Sequence, residues 1–416
     1  MTFVSNSNLL TNPILGLKAN WKQFLILVIV NALVGSMLGM ERSIFPQYAS
    51  EIFGLSSNFA FLSFITAFGF SKAITNYLTG KFANNFGRKK LLILGWILAI
   101  PVPILLIFAS NWNYVILANV LLGVSQGLTW GSTVIMKIDL VGEKDRGFAM
   151  GMNEFAGYLS LGVSAYLSAY LAEKFGVSPT PFYIGVVVSI LGLLLSIFLV
   201  KDTHHFVKKE SEIATLEKVE RVFLQTSIKN KTLSSITQAG LINNLNDGMV
   251  WGLLPVLLLS NGFSLNQTGV ITATYPLIWG IGQLGTGKMA DRFSKKKMIF
   301  GGMLLQGLTL LLLPNLMNYH LQILFMVLLG FGTALVYPTF MAAIADHTHP
   351  VQRAESIGTF RLWRDLGYAF GAILSGILAD QWGIPVAIFS IGILTIASSV
   401  IVKFRMEESS PSDKIL

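Results

Sequence analysis

The stretch GKFANNFGRKK at residues 80–90 has a near-copy, GKMADRFSKKK, at residues 287–297. Each is a glycine-plus-basic turn that follows a long run poor in charge. The two lie 207 residues apart, since 287 − 80 = 207, and the same offset holds without a gap across the surrounding chain. VLLG at 120–123 returns at 327–330, Asp139 matches Asp346, Arg146 matches Arg353, and Gly151 matches Gly358. LAEKFG at 171–176 returns as LADQWG at 378–383. Half of the chain is thus a diverged copy of the other half.

The composition says what kind of half. Of 416 residues, 53% are hydrophobic and 12% charged. A soluble domain carries about 25% charged residues, too many for this chain to imitate. Integration into a lipid bilayer is the reading that fits. The chain has no cysteine, which leaves neither a disulfide framework nor a thiolate metal site. Residues 1–20 are polar and show no small-residue cleavage site behind a short apolar core, so the first apolar segment is expected to insert and stay.

A bilayer-crossing helix takes about 20 mostly apolar residues. Longer uncharged runs divide at polar turns: SNWN at 110–113, SNGFS at 260–264 and the stretch 315–320. The result is twelve predicted segments, at 23–50, 58–79, 91–109, 114–136, 148–172, 181–200, 235–259, 267–287, 298–316, 321–343, 354–379 and 384–403. With the N-terminus in the cytoplasm, the inner connections hold Lys81, Arg88, Lys89, Lys90, Lys144, Arg146, Lys288, Arg292, Lys295, Lys296, Lys297 and Arg353. The central stretch 201–231 adds Lys208, Lys209, Lys218, Arg221 and Lys229 between its end lysines, and the outer connections hold only Lys174. That asymmetry is the positive-inside signature of a multi-pass protein of the cytoplasmic membrane with both termini inside. It also accounts for the net charge of +9 without nucleic acid, because the basic residues are spread along one face of a membrane.

Two like-oriented sextets joined by a charged linker describe a transporter with its site between the halves near the midplane. Here the chain resembles the major facilitator superfamily over essentially its full length. The turn between segments 2 and 3 is written in that family G-x-x-x-D-R-x-G-R-K. This chain has Gly80, Asn84, Asn85, Gly87, Arg88 and Lys89, and in the second copy Gly287, Asp291, Arg292, Ser294, Lys295 and Lys296. Asp139 with Arg146, and Asp346 with Arg353, resemble the family's partner motif after segments 4 and 10.

The resemblance implies an all-α membrane protein with twelve transmembrane helices in two pseudo-symmetric six-helix bundles, 1–200 and 234–416, around a cytoplasmic linker at 201–233. It implies a cytoplasmic gate built from Gly80, Asn84, Gly87, Arg88, Asp139, Arg146, Asp291, Arg292, Asp346 and Arg353. Arg88 admits two readings, a topology signal in a solvated turn or a lock on Asp139. Asn84 and Asn85 replace the family's acidic–basic pair. An asparagine can cap a helix N-terminus but forms no ion pair, so the implied charge relay is carried better by the second copy. The Gly-Pro antiporter signature is absent from GMNEFAGYLSLG at 151–162, as is the sugar-porter signature from KDTHHFVKKE at 201–210.

Charged side chains inside a span cost about 2.5–3.5 kcal/mol at the helix centre and are usually paired or turned to a cavity. The candidates are Glu41, Arg42, Lys72, Glu154, Asp247, Arg361, Arg364 and Asp365, four of each sign. Asn243, Asp247 and Trp251 form one stripe at helical spacing, as do Tyr275, Trp279 and Gln283. Arg361 stands four before Asp365, and Gln126 four before Trp130. The offset pairs Lys72 with Trp279, Trp130 with Tyr337, and Glu154 with Arg361, positions expected to face each other across the axis. Lys72, Trp130, Glu154, Trp251, Trp279, Tyr337, Arg361 and Arg364 are the expected solute-binding set. Glu41, Asp247 and Asp365 are the proton-coupling set, Glu41 and Asp247 ahead of Asp365. A buried carboxyl without a cation beside it can take up a proton near neutral pH, whereas one held against an arginine stays ionised.

Each has a plainer alternative. Arg361 and Asp365 can form a structural intrahelical pair, Glu41 can meet water near the outer interface, Glu154 can cap a neighbouring helix, and the aromatic residues can be packing or interface anchors. The histidines His204, His205, His320, His347 and His349 fall in connections and suggest no metal. With no P-loop or dinucleotide fingerprint, neither enzyme chemistry nor a cofactor is expected. The expectation is a monomeric secondary active transporter of a small organic or anionic solute, proton-coupled and working by alternating access. Export is preferred on the overall look of the chain, although the missing antiporter signature points the other way. The rival class is a receptor or scaffold that kept the fold and lost transport.

Overall fold

The computed structural model describes residues 14–42, 44–54, 58–142, 144–212, 216–263 and 265–408. Among them all regular structure is helical. The first half holds α1 (Leu17–Arg42), α2 (Phe45–Phe53), α3 (Asn58–Phe86), α4 (Arg88–Ala99), α5 (Pro101–Ile107), α6 (Trp112–Val141), α7 (Arg146–Phe175) and α8 (Tyr183–Phe198). Two short helices follow, α9 (His204–Glu212) and α10 (Val222–Leu224). The second half holds α11 (Lys231–Ser260), α12 (Leu265–Ala290), α13 (Lys295–Leu312), α14 (Tyr319–Asp346), α15 (Pro350–Trp382) and α16 (Ile384–Arg405). Counting α4 and α5 as one crossing and α2 as an appendage of α1, these are twelve long rods.

The helices run past most of the apolar windows that predict them. Segment 7, expected at 235–259, is α11 at Lys231–Ser260; segment 11, expected at 354–379, is α15 at Pro350–Trp382. An apolar window ends where hydrocarbon ends, whereas a helix ends where its backbone is capped. The Asn230 side chain accepts from Leu233 N at 2.9 Å, and Asn318 accepts from His320 N at 2.9 Å. Prolines shorten two others. Segment 1, expected at 23–50, stops at Arg42 because Pro46 offers no N–H to a continuing helix, and α2 begins at Phe45. Segment 3 breaks into α4 and α5 at Pro101.

Eight helical spans among the described residues are long and apolar enough to cross a membrane: those starting at Leu17, Arg88, Trp112, Arg146, Thr180, Lys295, Tyr319 and Ile384. Their outward residues, such as Ile190, Leu194, Phe198, Ile393 and Ile401, are exposed as a lipid-facing surface requires. The long helices outside that set are α3, α11, α12 and α15. They carry Lys72, Asp247, Gln283 and the Arg361–Asp365 cluster, and they pack inward: α3 along α15, α12 along α7, and α11 along α15.

Two of these packings are images of each other under the repeat. A Cβ on Gly80 would lie 2.3 Å from Ala354 O and 2.7 Å from Gly358 Cα, so α3 and α15 touch backbone to backbone. A Cβ on Gly287 would lie 2.7 Å from Gly147 O and 2.9 Å from Gly151 Cα, which makes the same contact between α12 and α7. Adding 207 to Gly80 and Gly151 gives Gly287 and Gly358. Both crossings join the first half to the second, and both lie toward the end that carries the basic turns.

Candidate functional site

The basic end is shut. Asp291 lies just past α12, and its carboxylate accepts from Gly147 N at 2.6 Å and Phe148 N at 2.9 Å. It thereby caps α7, whose own N-cap residue Asp145 makes no side-chain cap bond. Burial pushes the Asp291 carboxyl above the usual carboxylate range, against the two backbone N–H groups. Its repeat mate Asn84 works differently: Nδ2 donates to Val351 O at 2.5 Å, and Oδ1 accepts from Arg88 Nη2 at 2.8 Å. Asn84 therefore does not cap α15. Pro350 has no N–H there, and Val351 N is already taken by His349 Nδ1 at 3.2 Å.

Ion pairs surround the crossings. Arg88 Nε meets Asp139 Oδ2 at 3.1 Å, and the mates Lys295 and Asp346 meet at 2.9 Å. Arg146 Nη1 reaches across the halves to Asp346 Oδ1 at 3.0 Å. Glu210 on α9 joins the two sides again: it bonds Arg146 from the first half and Arg353 Nη1 and Nη2 from the second, the latter at 2.9 and 2.7 Å. Although burial pushes Glu210 up, Arg353 and Arg146 outweigh it and hold the carboxyl below its usual range. Gly87, with φ +84°, makes the turn into α4 that a side chain would strain. Arg292 departs from the expected set, since its side chain is exposed beside the gate.

One to two turns further into the bilayer, each crossing carries a polar layer. In the α3–α15 crossing, Asn76 Nδ2 donates to Asp365 Oδ2 at 2.5 Å, and Arg364 donates to Asp365 Oδ1 at 2.9 and 2.7 Å. The Arg364 guanidinium also lies 5.1 Å from the Tyr337 ring. The expected Arg361–Asp365 pair is thus replaced by Arg364–Asp365. Lys72 sits 5.2 Å from the rings of both Phe68 and Trp130.

In the α7–α12 crossing, Glu154 Oε1 accepts from Trp130 Nε1 at 3.0 Å and from Asn153 Nδ2 at 2.7 Å. It caps no neighbouring helix by these bonds. Lys137 Nζ donates to Asn153 Oδ1 at 2.6 Å. Between the crossings stands Tyr158, with its ring 4.0 Å from Trp279, 5.7 Å from Trp130 and 6.3 Å from Tyr337, and its hydroxyl 3.3 Å from that of Tyr337.

Lys72 and Trp279, or Glu154 and Arg361, therefore occupy equivalent places in two different crossings and do not touch. The repeat axis maps one crossing onto the other, so it separates mates instead of joining them. Asp247 is fully buried on α11. The Tyr275 hydroxyl donates to Oδ1, the Tyr368 hydroxyl lies near the same carboxylate, and Oδ2 has no partner in hydrogen-bond geometry among the described residues. Trp251 is 46% exposed, 6.3 Å from Tyr275 and outside the Tyr158 cluster. Glu41 is buried, away from water, with Asn119 Nδ2 3.4 Å from Oε2. The Arg42 side chain lies outside the described residues.

Sequence reading missed Glu210, Asn76, Lys137 and Tyr158. Lys137 was within its reach: it lies one residue past the uncharged run 91–136, and helix extension buries it completely.

The family model described as Major Facilitator Superfamily matches residues 24–237 and again 236–415. The chain belongs to the Major Facilitator Superfamily. It is a multi-pass secondary transporter of that family, and the two matches fall on the two halves of the repeat. It is 24% identical over 374 residues to the proton-coupled antiporter flippase LtaA of Staphylococcus saprophyticus, covering 86% of this chain and 88% of the relative. It is 24% identical over 375 residues to the multidrug resistance protein MdtG of Proteus mirabilis, covering 88% and 91%. An uncharacterized transporter of the same type from Bacillus subtilis, YddS, is 29% identical over 398 residues, covering 91% and 88%. Among solved structures, the human organic anion transporter MFSD10 superposes with a TM-score of 0.74 at 15% identity, over 92% of this chain and 99% of that one. That likeness is one of fold.

Proposed function

We propose that this superfamily member is a proton-coupled exporter of a small organic or anionic solute, set in the cytoplasmic membrane with its basic end and both termini inside. Its halves, 1–200 and 234–416, rock around the layer formed by Lys72, Trp130, Glu154, Trp279, Tyr337, Arg361 and Arg364. The residues 201–233 are the strap between them. The shut gate at the basic end is one limit of that motion. Gly80, Asn84, Gly87, Arg88, Asp139, Arg146, Asp291, Asp346 and Arg353 hold it, and Arg292 contributes charge to the inner face. The positive-inside bias supports the orientation. The relatives named for proton-coupled antiport and multidrug resistance support export.

The observation that carries proton coupling is Asp247. It is buried on α11, which packs along α15, and it is bonded by the Tyr275 hydroxyl and by no cation, with the Tyr368 hydroxyl near the same carboxylate. Asp365 is held by Arg364 and Asn76, which suits a fixed structural anion. Glu41 is the second candidate. Under a one-unit pH gradient, a one-proton exchanger can hold about a tenfold solute ratio, 1.4 kcal/mol being a factor of ten. In proteoliposomes, Asp247→Asn should lose that tenfold ratio while solute–solute counterflow persists, and Glu41→Gln should not. Full gradient-driven accumulation in Asp247→Asn would remove Asp247 from the proton path.

A further inference from the structure

Four basic side chains are buried inside the bundle: Lys72, Lys137, Arg361 and Arg364. Three acidic side chains are buried there too, Glu154, Asp247 and Asp365. The four basic groups differ in what holds them. Arg364 is held on both sides, by Asp365 and by the Tyr337 ring. The Lys72 ammonium faces two rings, and Lys137 donates to Asn153. Arg361 is 1% exposed, and none of its three guanidinium nitrogens has a hydrogen-bond partner among the described residues.

An arginine that is desolvated without an acceptor is costly to keep. A planar guanidinium presents a fork that fits two oxygens of one acid group. Arg361 stands between Gly358 and Asp365 on one face of α15, and both of those meet Asn76 of α3. It is also within electrostatic reach of Glu154, which accepts from Trp130, and of Tyr337, which meets Tyr158 and Trp279. That cluster, Trp130, Tyr158, Trp279 and Tyr337, offers apolar faces, and the indole N–H of Trp279 is likewise unpartnered among the described residues.

We infer that the solute is a soluble amphipathic organic acid with a single negative charge, its acid group forked by Arg361 and its apolar body against the rings of Trp130, Tyr158, Trp279 and Tyr337. This rests on the transporter reading above and narrows it from any small solute to a monoanion with a hydrophobic body.

The test is thermal unfolding of the purified full chain in neutral detergent at pH 7, titrated with benzoate and 2-naphthoate, with their neutral amides, and with benzylamine. The acids should stabilise the protein and the amides and amine should not. Losing one charge-assisted fork should weaken acid binding by about 10- to 100-fold in Arg361→Gln. Arg361→Lys, which keeps the charge and loses the fork, should fall between. If Arg361→Gln does not fold, the acid–amide contrast in the unaltered protein and in Arg361→Lys decides.

Amides or amine binding as tightly as the acids would overturn the inference, as would unchanged acid affinity in Arg361→Gln. A response only to phosphatidylglycerol added to the micelles would overturn it in favour of a lipid headgroup. Flux in proteoliposomes separates this inference from its premise. Arg361-dependent acid binding with no acid flux would refute transport and keep the acid site. Flux of benzylamine without benzoate would do the reverse.

Discussion

Gly80→Val should hold the basic end open and lower solute flux by about 100-fold, with the protein still folded and inserted. The side chain would start with a Cβ 2.3 Å from Ala354 O and 2.7 Å from Gly358 Cα. Both obstacles are backbone, so no rotamer relieves them, and α3 must move away from α15. Overpacking a tight contact costs about 1–3 kcal/mol, and in the rocking motion proposed above this contact belongs to the shut gate. At the upper end that shifts the shut population by roughly 100-fold. The helices themselves should survive, since valine is tolerated in a helix better than glycine.

The chain has no cysteine, so one introduced thiol reports cleanly. Ser356→Cys suits, because Ser356 is buried at the gate with its Oγ 3.3 Å from Thr226 Oγ1. Maleimide should label it slowly in the Gly80 background and quickly alongside Gly80→Val. Gly162→Ala is the control, since nothing lies within 4 Å of the added carbon. Equal labelling in both backgrounds would show that the glycine crossing does not control the gate.

How much of this was legible beforehand depends on the range of the interaction. The twelve crossings were legible because apolar length is a local property, and the halves were legible because Gly80/Gly287 and Asp139/Asp346 preserve one offset. The buried charges were legible because few charged residues fall in apolar runs. Their partners were not. Spacing paired Arg361 with Asp365, since residues four apart share a helix face and neighbours do not. The choice went to Arg364 because Tyr337 on α14 and Asn76 on α3 fix the two side chains from outside the helix. Tyr158 looks like any other tyrosine of its helix until α12 and α14 close around it. Glu210 was least legible. It sits in a charged stretch with Glu212, Glu217 and Glu220, and nothing local distinguishes it from them.

Glu210→Gln should loosen the same gate by a different route, and its dependence on pH separates the gate from the proton site. Glu210 bonds an arginine from each half, and all three side chains are at most 12% exposed. Removing one member of a buried ion pair leaves the others uncompensated and costs about 3 kcal/mol, or roughly 100-fold in the shut population. Asp346 still holds Arg146 at 3.0 Å, so Arg353 is the residue left exposed to the loss. Because the two arginines keep the Glu210 carboxyl below its ordinary value of 4.5, the stabilisation is fully present above that value and is lost as pH falls through the lowered one. Asp291, held above its ordinary value by burial, acts in the opposite sense, so the wild-type minus Glu210→Gln difference isolates Glu210. Measured by labelling at Ser356→Cys, that difference should be flat from pH 5.5 to 8 and shrink only at more acid pH. A Glu210 contribution constant across that range removes Glu210 from the response to a physiological proton gradient and is the result expected if that role belongs to Asp247. A difference that collapses between pH 6 and 7 would instead make Glu210 the proton-sensitive element and Asp247 a structural partner of Tyr275.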